Sequence, residues 1–388
     1  MKKKVLVRGP LLSQSGYGNH SRQIFKWLKS KKDVEVYTQV LSWGITPWLI
    51  DIHAEDGLMG QVMEASINAM PSDIDISYQI QLPNEWDPKL AKFNVGVTAA
   101  VETDICNASW IDRCNQMDSV VVPSSFTKGT LERSGDCKTP ITVIPESFFD
   151  EICTEDKVLD LDLSTSFNFL VFGMLTGQNP KTDRKNLFYT IKWLLEEFKN
   201  EKDVGIILKT SSGRSTKIDR KVTQKIVKQV VKEVRKGDFP KINLLHGSMT
   251  NSEVAALYRN PSIKALVSLT RGEGYGLPIL EAAASNLPIV ATNWSGHLDF
   301  LRKGRFVAVD YTMKKIDESR VDGSVFIQNA RWAEPSEKDA KKRLRKLYES
   351  YEKPKEWAND LGEKLRSELT HEKVSDHWEN HFNRICEN

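Results

Sequence analysis

The stretch Arg271-Gly272-Glu273-Gly274-Tyr275-Gly276-Leu277-Pro278-Ile279-Leu280-Glu281-Ala282-Ala283-Ala284 decides how this chain is read. The apolar run Ala265 to Leu269 precedes it as a strand, and an alanine-rich segment follows it as a helix. Gly274 and Gly276 lack a Cβ, so the backbone between strand and helix can turn tightly and bring its N–H groups against a ligand. Pro278 suits the first helical turn because it has no N–H to leave unpaired there. A helix N-terminus offers donors and the positive end of a dipole, which makes this junction an anion site, most naturally for a phosphate or diphosphate. Glu281 falls about one turn into the helix, where a carboxylate can accept two hydrogen bonds from a ribose diol. Glu273 lies on the loop, within reach of sugar hydroxyls. A glycine turn alone would be an ordinary strand-to-helix corner; two carboxylates eight positions apart around two glycines and a proline are more specific.

Around this segment the second half of the chain alternates strands with helix-length segments. The strand candidates are Phe167 to Phe172, Val204 to Leu208, Ile242 to Leu245, Ala265 to Leu269, Pro288 to Ala291 and Arg305 to Val309. The first half repeats the pattern. Lys4 to Arg8 is a strand, Ser13 to Gly18 a glycine and serine loop, and a helix starts near Ser21 with Ile24 and Leu28 on one face. Val34 to Val40, Ile74 to Ile80, Asn94 to Ala100, Ser119 to Val122 and Ile141 to Ile144 follow as strands, with a helix carrying Trp110, Cys114 and Met117 and another ending at Gly135. Such alternation predicts parallel sheets covered on both faces. Glu146 to Ser166 has no clean period and reads as a linker. From Ser336 onward the pattern is helical, with a break expected at Lys353-Pro354.

At 388 residues the chain is long for one core, and about 150 residues per domain predicts two. With 40% hydrophobic and 28% charged residues, the composition excludes a disordered, collagenous or disulfide-scaffold protein. A net charge of +3 is too small over this length to mark a nucleic-acid binder. No apolar run approaches a spanning helix, and the run after Lys2-Lys3-Lys4 is too short for a secretory signal, so a cytoplasmic location is expected. Five scattered cysteines never form a C-x-x-C pair and are read as reduced, mostly buried thiols.

Glu273 to Glu281 closely resembles the E-x7-E signature of glycosyltransferase family 4, retaining nucleotide-sugar transferases of the GT-B fold. Gly16-Tyr17-Gly18 resembles the family's N-terminal glycine loop facing the donor, Val121 to Phe126 its strand-helix junction, and Val143-Ile144-Pro145 its last strand before the interdomain linker. Asp183-Arg184-Lys185-Asn186 resembles its phosphate motif, Thr292 to Gly296 the loop after the next strand, and Arg331 to Pro335 the point where the chain turns back. The resemblance implies two Rossmann-like α/β domains facing across a cleft. Residues 1–160 with the C-terminal helix 372–388 would bind acceptor, and residues 161–371 the donor. It further implies hexose transfer from a UDP-, GDP- or ADP-sugar to a glycan, lipid-linked or other hydroxyl, as in polysaccharide biosynthesis, with no cofactor and no metal.

Residue by residue, the resemblance places Lys185 and Arg184 on the donor diphosphate, Glu281 on the ribose and Glu273 on the transferred sugar. Gly16, Gly18 and the loop Gly274-Tyr275-Gly276-Leu277 would face the donor. Met249 and Thr250, in the loop Gly247 to Thr250, are expected near the base. The sequence departs from the family in two places. Met174 stands where an arginine often follows the glycine of the second domain's first strand, and Lys209, at the end of Val204 to Leu208, is read as its substitute. The family's N-terminal-domain histidine is absent; Glu102-Thr103-Asp104 stands there, with Glu102 a candidate for donor sugar or acceptor and otherwise a plain loop carboxylate. His20 is left between a cleft-facing and a solvated position.

Other signals weigh less. His377 and His381 are one helical turn apart, but Glu379 between them is misplaced for a zincin. The helix Asp219 to Lys236 carries Val222, Ile226, Val230 and Val234 at intervals of four among lysines, either a solvated face or a peripheral contact to an anionic membrane or polymer. Trp43 and Trp48 are read as packing residues rather than an acceptor wall. Two further readings stay open: a sugar-nucleotide-binding scaffold without transfer, and a nucleotide-sugar epimerase or phosphorylase on the same fold.

Overall fold

The computed structural model describes residues 2–66, 73–154, 156–157, 159–174, 179–235 and 237–387. Lys236, the expected end of the basic helix, lies outside them, as do Glu155 and Val158 of the expected linker. The chain divides into two compact units. Unit 1 comprises Met1–Ser147, Gly323–Ile327 and Leu369–Asn388; unit 2 comprises Phe148–Asp322 and Gln328–Glu368.

Unit 1 is built on six parallel strands, β1 (Lys3–Gly9), β2 (Val34–Val40), β3 (Ile76–Ile80), β4 (Phe93–Val97), β5 (Ser119–Val122) and β6 (Ile141–Val143), in the order β2-β1-β3-β4-β5-β6. Every residue of β3 and β5 is buried, as expected for strands covered on both faces. Helix α1 (Gly16–Lys29) follows β1 directly, because Ser15 caps it by accepting from Gly18 N at 3.1 Å. It thus begins five residues before Ser21, and Gly16 and Gly18 lie in its first turn. A Cβ on Gly18 would stand 2.0 Å from the Ser13 carbonyl oxygen, so this tight entry requires glycine. Helices α2 (Leu58–Glu64), α3 (Ala108–Cys114) and α4 (Ser125–Ser134, stopped at Gly135) complete the first half of the chain.

The last helix of the chain, His371–Glu387, also belongs to unit 1. Its Trp378 is buried, stacked on Trp27 of α1 at 5.9 Å and edge-on to Tyr78 of β3 at 5.8 Å. His381 sits 3.0 Å from Ser119 Oγ, and burial lowers its pKa to about 4.

Unit 2 starts with the short helix α5 (Glu151–Thr154) inside the expected linker. Its sheet holds β7 (Phe167–Phe172), β8 (Val204–Thr210), β9 (Lys241–His246), β10 (Ile263–Ser268), β11 (Ile289–Thr292) and β12 (Val307–Val309), all parallel, in the order β12-β11-β10-β7-β8-β9. Helices α6 (Leu187–Glu197), α7 (Lys217–Val234), α8 (Asn251–Arg259), α9 (Leu277–Ala284) and α10 (Leu298–Leu301) connect these strands. Phe169 and Val171 of β7 pack with Leu194 and Phe198 at the end of α6 and with Val227 of α7.

Unit 2 differs from the expectation in three ways. Tyr311–Lys315 (β13) and Arg331–Pro335 (β14) form an antiparallel pair, hidden in the sequence by lysines and an arginine at exposed positions. After helix α11 (Glu337–Glu349) the break falls at Ser350 and Tyr351, and Pro354 sits in the first turn of α12 (Glu352–Glu368), where its missing N–H costs nothing. On α7 the buried residues are Thr223 and Val227, with Val230, Val231 and Val234 partly buried, whereas Val222 is 52% exposed. Positions four apart drift around a 3.6-residue helix, so the apolar row leaves the core face at its N-terminal end.

Three smaller expectations are corrected. Of the five cysteines only Cys106 and Cys114 are buried; Cys137 and Cys386 are half-buried and Cys153 is exposed. Trp43 stacks on Tyr17 at 4.1 Å, but Trp48 is exposed. β4 ends at Val97, and Ala100 adopts a left-handed φ of 49° in the loop that follows.

Candidate functional site

In unit 2 the connection reverses direction between β7 and β10, from which successive strands run to opposite sides of the sheet. Ligands of open α/β sheets bind beyond the strand ends at such a switch. The loop after β7 carries Arg184 and Lys185, and the loop after β10 carries Arg271 to Gly276. Arg271, almost fully buried, joins the two. It donates from Nε and Nη2 to both Glu334 oxygens at 2.9 Å, and from Nη1 to the carbonyls of Pro180 and Asp183 at 2.7 Å. A planar guanidinium suits this four-way role because its donors are fixed in a fork. Arg184 Nη1 donates to Gly272 O at 2.6 Å, Arg271 N to Arg184 O at 2.9 Å, and Asn186 Nδ2 to Leu269 O at 2.9 Å.

At the centre, Lys185 Nζ donates to both oxygens of Glu273 at 2.6 and 2.7 Å, and Arg184 Nη1 stands 3.5 Å from the same carboxylate. Burial alone would raise the Glu273 pKa, but Lys185 and Arg184 outweigh it and hold the group at about 2. The backbone of Glu273 is fixed as well: its N–H donates to Ser295 Oγ at 2.9 Å, and its carbonyl accepts from Gly296 N at 2.9 Å. A Cβ on Gly296 would lie 2.0 Å from Gly274 O, so this approach of two loops requires glycine. His297 Nε2 is 2.7 Å from Thr292 O; a carbonyl only accepts, so Nε2 carries the proton and Nδ1 faces Ser295 Oγ at 3.4 Å.

Gly276 adopts a φ of 103° immediately before α9, where a side chain would be strained, and Pro278 stands in the first turn. Glu281 is buried one turn on, and Tyr258 of α8 donates to its Oε2 at 3.1 Å. Burial raises the Glu281 pKa to about 7, against a smaller lowering by the Tyr258 hydroxyl. Lys209, at the end of β8, donates to the carbonyl of Gly247 and lies 5.7 Å from the Phe172 ring; burial lowers its pKa to about 8.

The structure therefore brings together Arg184, Lys185 and Glu273, with Gly274 to Leu277 and Glu281 continuous with them. Lys209 meets Gly247 rather than the Lys185 and Glu273 pair. The Tyr275 ring is buried against Phe300 at 5.3 Å, and the Leu277 side chain is buried too. Thr250 caps α8, accepting from Glu253 N at 3.2 Å, and Met249 precedes it, half-buried. Three supports escaped the sequence reading: Arg271 with Glu334, Tyr258 under Glu281, and Ser295 with His297 behind Glu273. Each bridges residues distant in the chain that share no motif.

The remaining candidates belong to unit 1. Gly16 and Gly18 open α1, and Tyr17 between them shares a 3.0 Å hydrogen bond with Thr98 Oγ1 and accepts one from Ala99 N at 3.0 Å. Glu102 is half-buried in the loop after β4. His20 is neither solvated nor open to ligand: it is buried beside Trp378, with Nδ1 4.0 Å from Glu146, and burial lowers its pKa to about 3.

Comparison with known proteins agrees with this architecture. The model of the family "Glycosyl transferases group 1" matches residues 227–319, which contain Glu273 to Glu281. The chain is similar to a glycosyltransferase from Rickettsia africae, at 12% identity and a TM-score of 0.66, over 100% of this chain and 99% of that one. It is similar to Anabaena Alr3699/HepE, solved with UDP and glucose, at 11% identity and a TM-score of 0.64, over 98% and 100%. The pneumococcal O-GlcNAc transferase GtfA, solved with UDP and GlcNAc, aligns at 12% identity and a TM-score of 0.51; the match covers 81% of this chain and only 57% of that one. A search of the curated proteins finds no match. Fold and comparisons agree that this chain has the GT-B architecture of glycosyltransferases, two Rossmann-like α/β units with the last helix returning to the first.

Proposed function

We propose that this chain is a retaining glycosyltransferase of family 4 that moves a hexose from a nucleoside-diphosphate sugar to a hydroxyl of a glycan, lipid or other acceptor. The observation that carries the reading is the Lys185 and Glu273 pair at the sheet's switch point, backed by Arg184 and joined through Gly276 to the helix that bears Glu281. An ammonium has three donors, so Lys185 can hold Glu273 and a diphosphate oxygen together. Arg184 and the N-terminus of α9 add positive potential where the leaving diphosphate gains charge. Glu281 receives the ribose hydroxyls, and Glu273 the hydroxyls of the transferred sugar. Lys209, held at the neighbouring strand end, is the second cation in place of an arginine at Met174, and Met249 and Thr250 border the base.

In the reaction the bond from the sugar C1 to the phosphate oxygen breaks, and a bond from C1 to the acceptor oxygen forms on the same face. The acceptor proton passes to the departing phosphate. These cations stabilise the leaving group without a metal ion. Proton NMR of donor turnover without acceptor tests this: slow release of sugar that first appears in the donor's own anomeric form is expected, and its loss in Lys185→Met. First appearance of the opposite anomer would overturn retention. Nucleotide binding with neither hydrolysis nor transfer would leave a binding protein instead.

A further inference from the structure

Helix α7 is the most cationic element of unit 2, and its charges are not spent inside the protein. Lys217, Arg220, Lys221, Lys225, Lys228 and Lys232 form no ion pair among the described residues. Its two acids are engaged locally: Asp219 completes the N-cap with Thr216, and Glu233 accepts from Gln229 at 2.9 Å. Helix α11 offers a contrast within the same unit, for there Lys341 pairs with Glu196 and Glu337, Arg343 with Asp339, and Arg345 with Glu197 and Glu201.

The distribution around α7 is also ordered. At about 100° per residue, Lys221, Lys225, Lys228 and Lys232 form one row roughly opposite the core-facing Thr223, Val227, Val230, Val231 and Val234. Ile218 and Val222 stand beside the row at its N-terminal end, 74% and 52% exposed. That end is tied to the site edge of the sheet: Ser212 Oγ lies 2.9 Å from Thr223 Oγ1 and 3.2 Å from His246 Nε2 at the end of β9.

We propose that the outer face of α7 docks on an anionic lipid bilayer. The lysine row meets headgroup phosphates, and Ile218 and Val222 enter the interface. A soluble polyanion would need only the lysines; the two exposed aliphatic side chains at the end of the row select a bilayer. The docking rests on α7 alone and not on the transfer reaction.

The test is co-sedimentation of the full chain, without donor, with vesicles of phosphatidylcholine alone or with about a quarter phosphatidylglycerol, at about 0.1 M salt. Binding is expected only to the anionic vesicles. It should weaken by about tenfold or more in Lys221→Gln/Lys225→Gln/Lys228→Gln and by less than about twofold in the charge-matched control Lys338→Gln/Lys342→Gln/Lys346→Gln on α11. Ile218→Ser/Val222→Ser should also weaken binding, and what remains should vanish at about 0.5 M salt, where screening is short-ranged. All these side chains except Ile218 and Val222 are exposed lysines, and circular dichroism with Tm confirms each fold. No binding to anionic vesicles, equal binding to both compositions, or an equal loss in the α11 control would overturn the proposal. Unchanged binding in Ile218→Ser/Val222→Ser would overturn it in favour of a polyanion.

Discussion

Glu281 links nucleotide binding to pH with a sign and a size. In the free protein burial raises its pKa to about 7, from an ordinary value of 4.5. Two ribose hydroxyls donating to the carboxylate favour its charged form, and if they return it to the ordinary value, binding releases a proton wherever the free group is protonated. With free and bound pKa values of about 7 and 4.5, affinity falls about tenfold from pH 8 to pH 6, or about 1.4 kcal/mol, and about 0.9 proton is released per ligand at pH 6. The free protein runs the other way. A carboxyl raised above its unfolded value contributes stability that is fully present below about pH 4.5 and is lost as pH rises through about 7. The assay is titration calorimetry in two buffers of different protonation enthalpy. The ligand is whichever of UDP-, GDP- or ADP-glucose binds, because the diester phosphates of these donors do not titrate in this range. Glu281→Gln should flatten the acid limb and leave the affinity at pH 8 at least about tenfold below wild type. An affinity independent of pH in wild type, or the same slope in Glu281→Gln, would refute the reasoning.

Other outcomes follow from the same geometry. Lys185→Met leaves the buried Glu273 carboxylate with Arg184 at 3.5 Å, and about 2–4 kcal/mol of destabilisation is expected in denaturant titrations at pH 7. Because Glu273 is depressed to about 2, that loss is full above about pH 4.5 and shrinks as pH falls towards 2, and adding Glu273→Gln should recover part of it. Lys209→Met should remove the decline in donor affinity expected above about pH 8, where the lysine loses its proton. Gly296→Ala forces a Cβ against Gly274 O and should cost about 1–3 kcal/mol together with nucleotide binding, read by melting with and without donor. In unit 1, Trp378→Ala should cost about 3–5 kcal/mol in the same titrations, because it empties the space between Trp27 and Tyr78.

How legible all this was in the sequence depended on the range of the interaction. Strands such as Val34–Val40 and Phe167–Phe172 were readable because burial writes itself into consecutive residues. Gly276 and Pro278 were readable because a left-handed residue and a first helical turn each admit few side chains. The strands Tyr311–Lys315 and Arg331–Pro335 were not, since their pairing spans a long connection and their exposed positions are charged. The glycine loop before Ser21 misled for a related reason: glycines usually open a loop, but here Ser15 had already capped the helix. In the candidate site, the local sequence contained Glu273 and Glu281, but the partners that set their charge states come from elsewhere. Lys185 and Tyr258 reach them only through the order of strands β10-β7-β8 and the packing of α8. For the same reason the bond of Arg271 to Glu334 could not be seen before β14 was placed.

The central claim is that a nucleotide sugar binds along Glu273 to Glu281. It is tested most directly by the melting temperature of wild type and Glu281→Ala with UDP, GDP, ADP and their sugar conjugates, without added metal. A rise with one nucleotide, larger with one of its sugars and lost in Glu281→Ala, is the predicted result, since a ligand of the folded state raises its stability. No rise with any of them at about millimolar concentration, or an undiminished rise in Glu281→Ala, would contradict it.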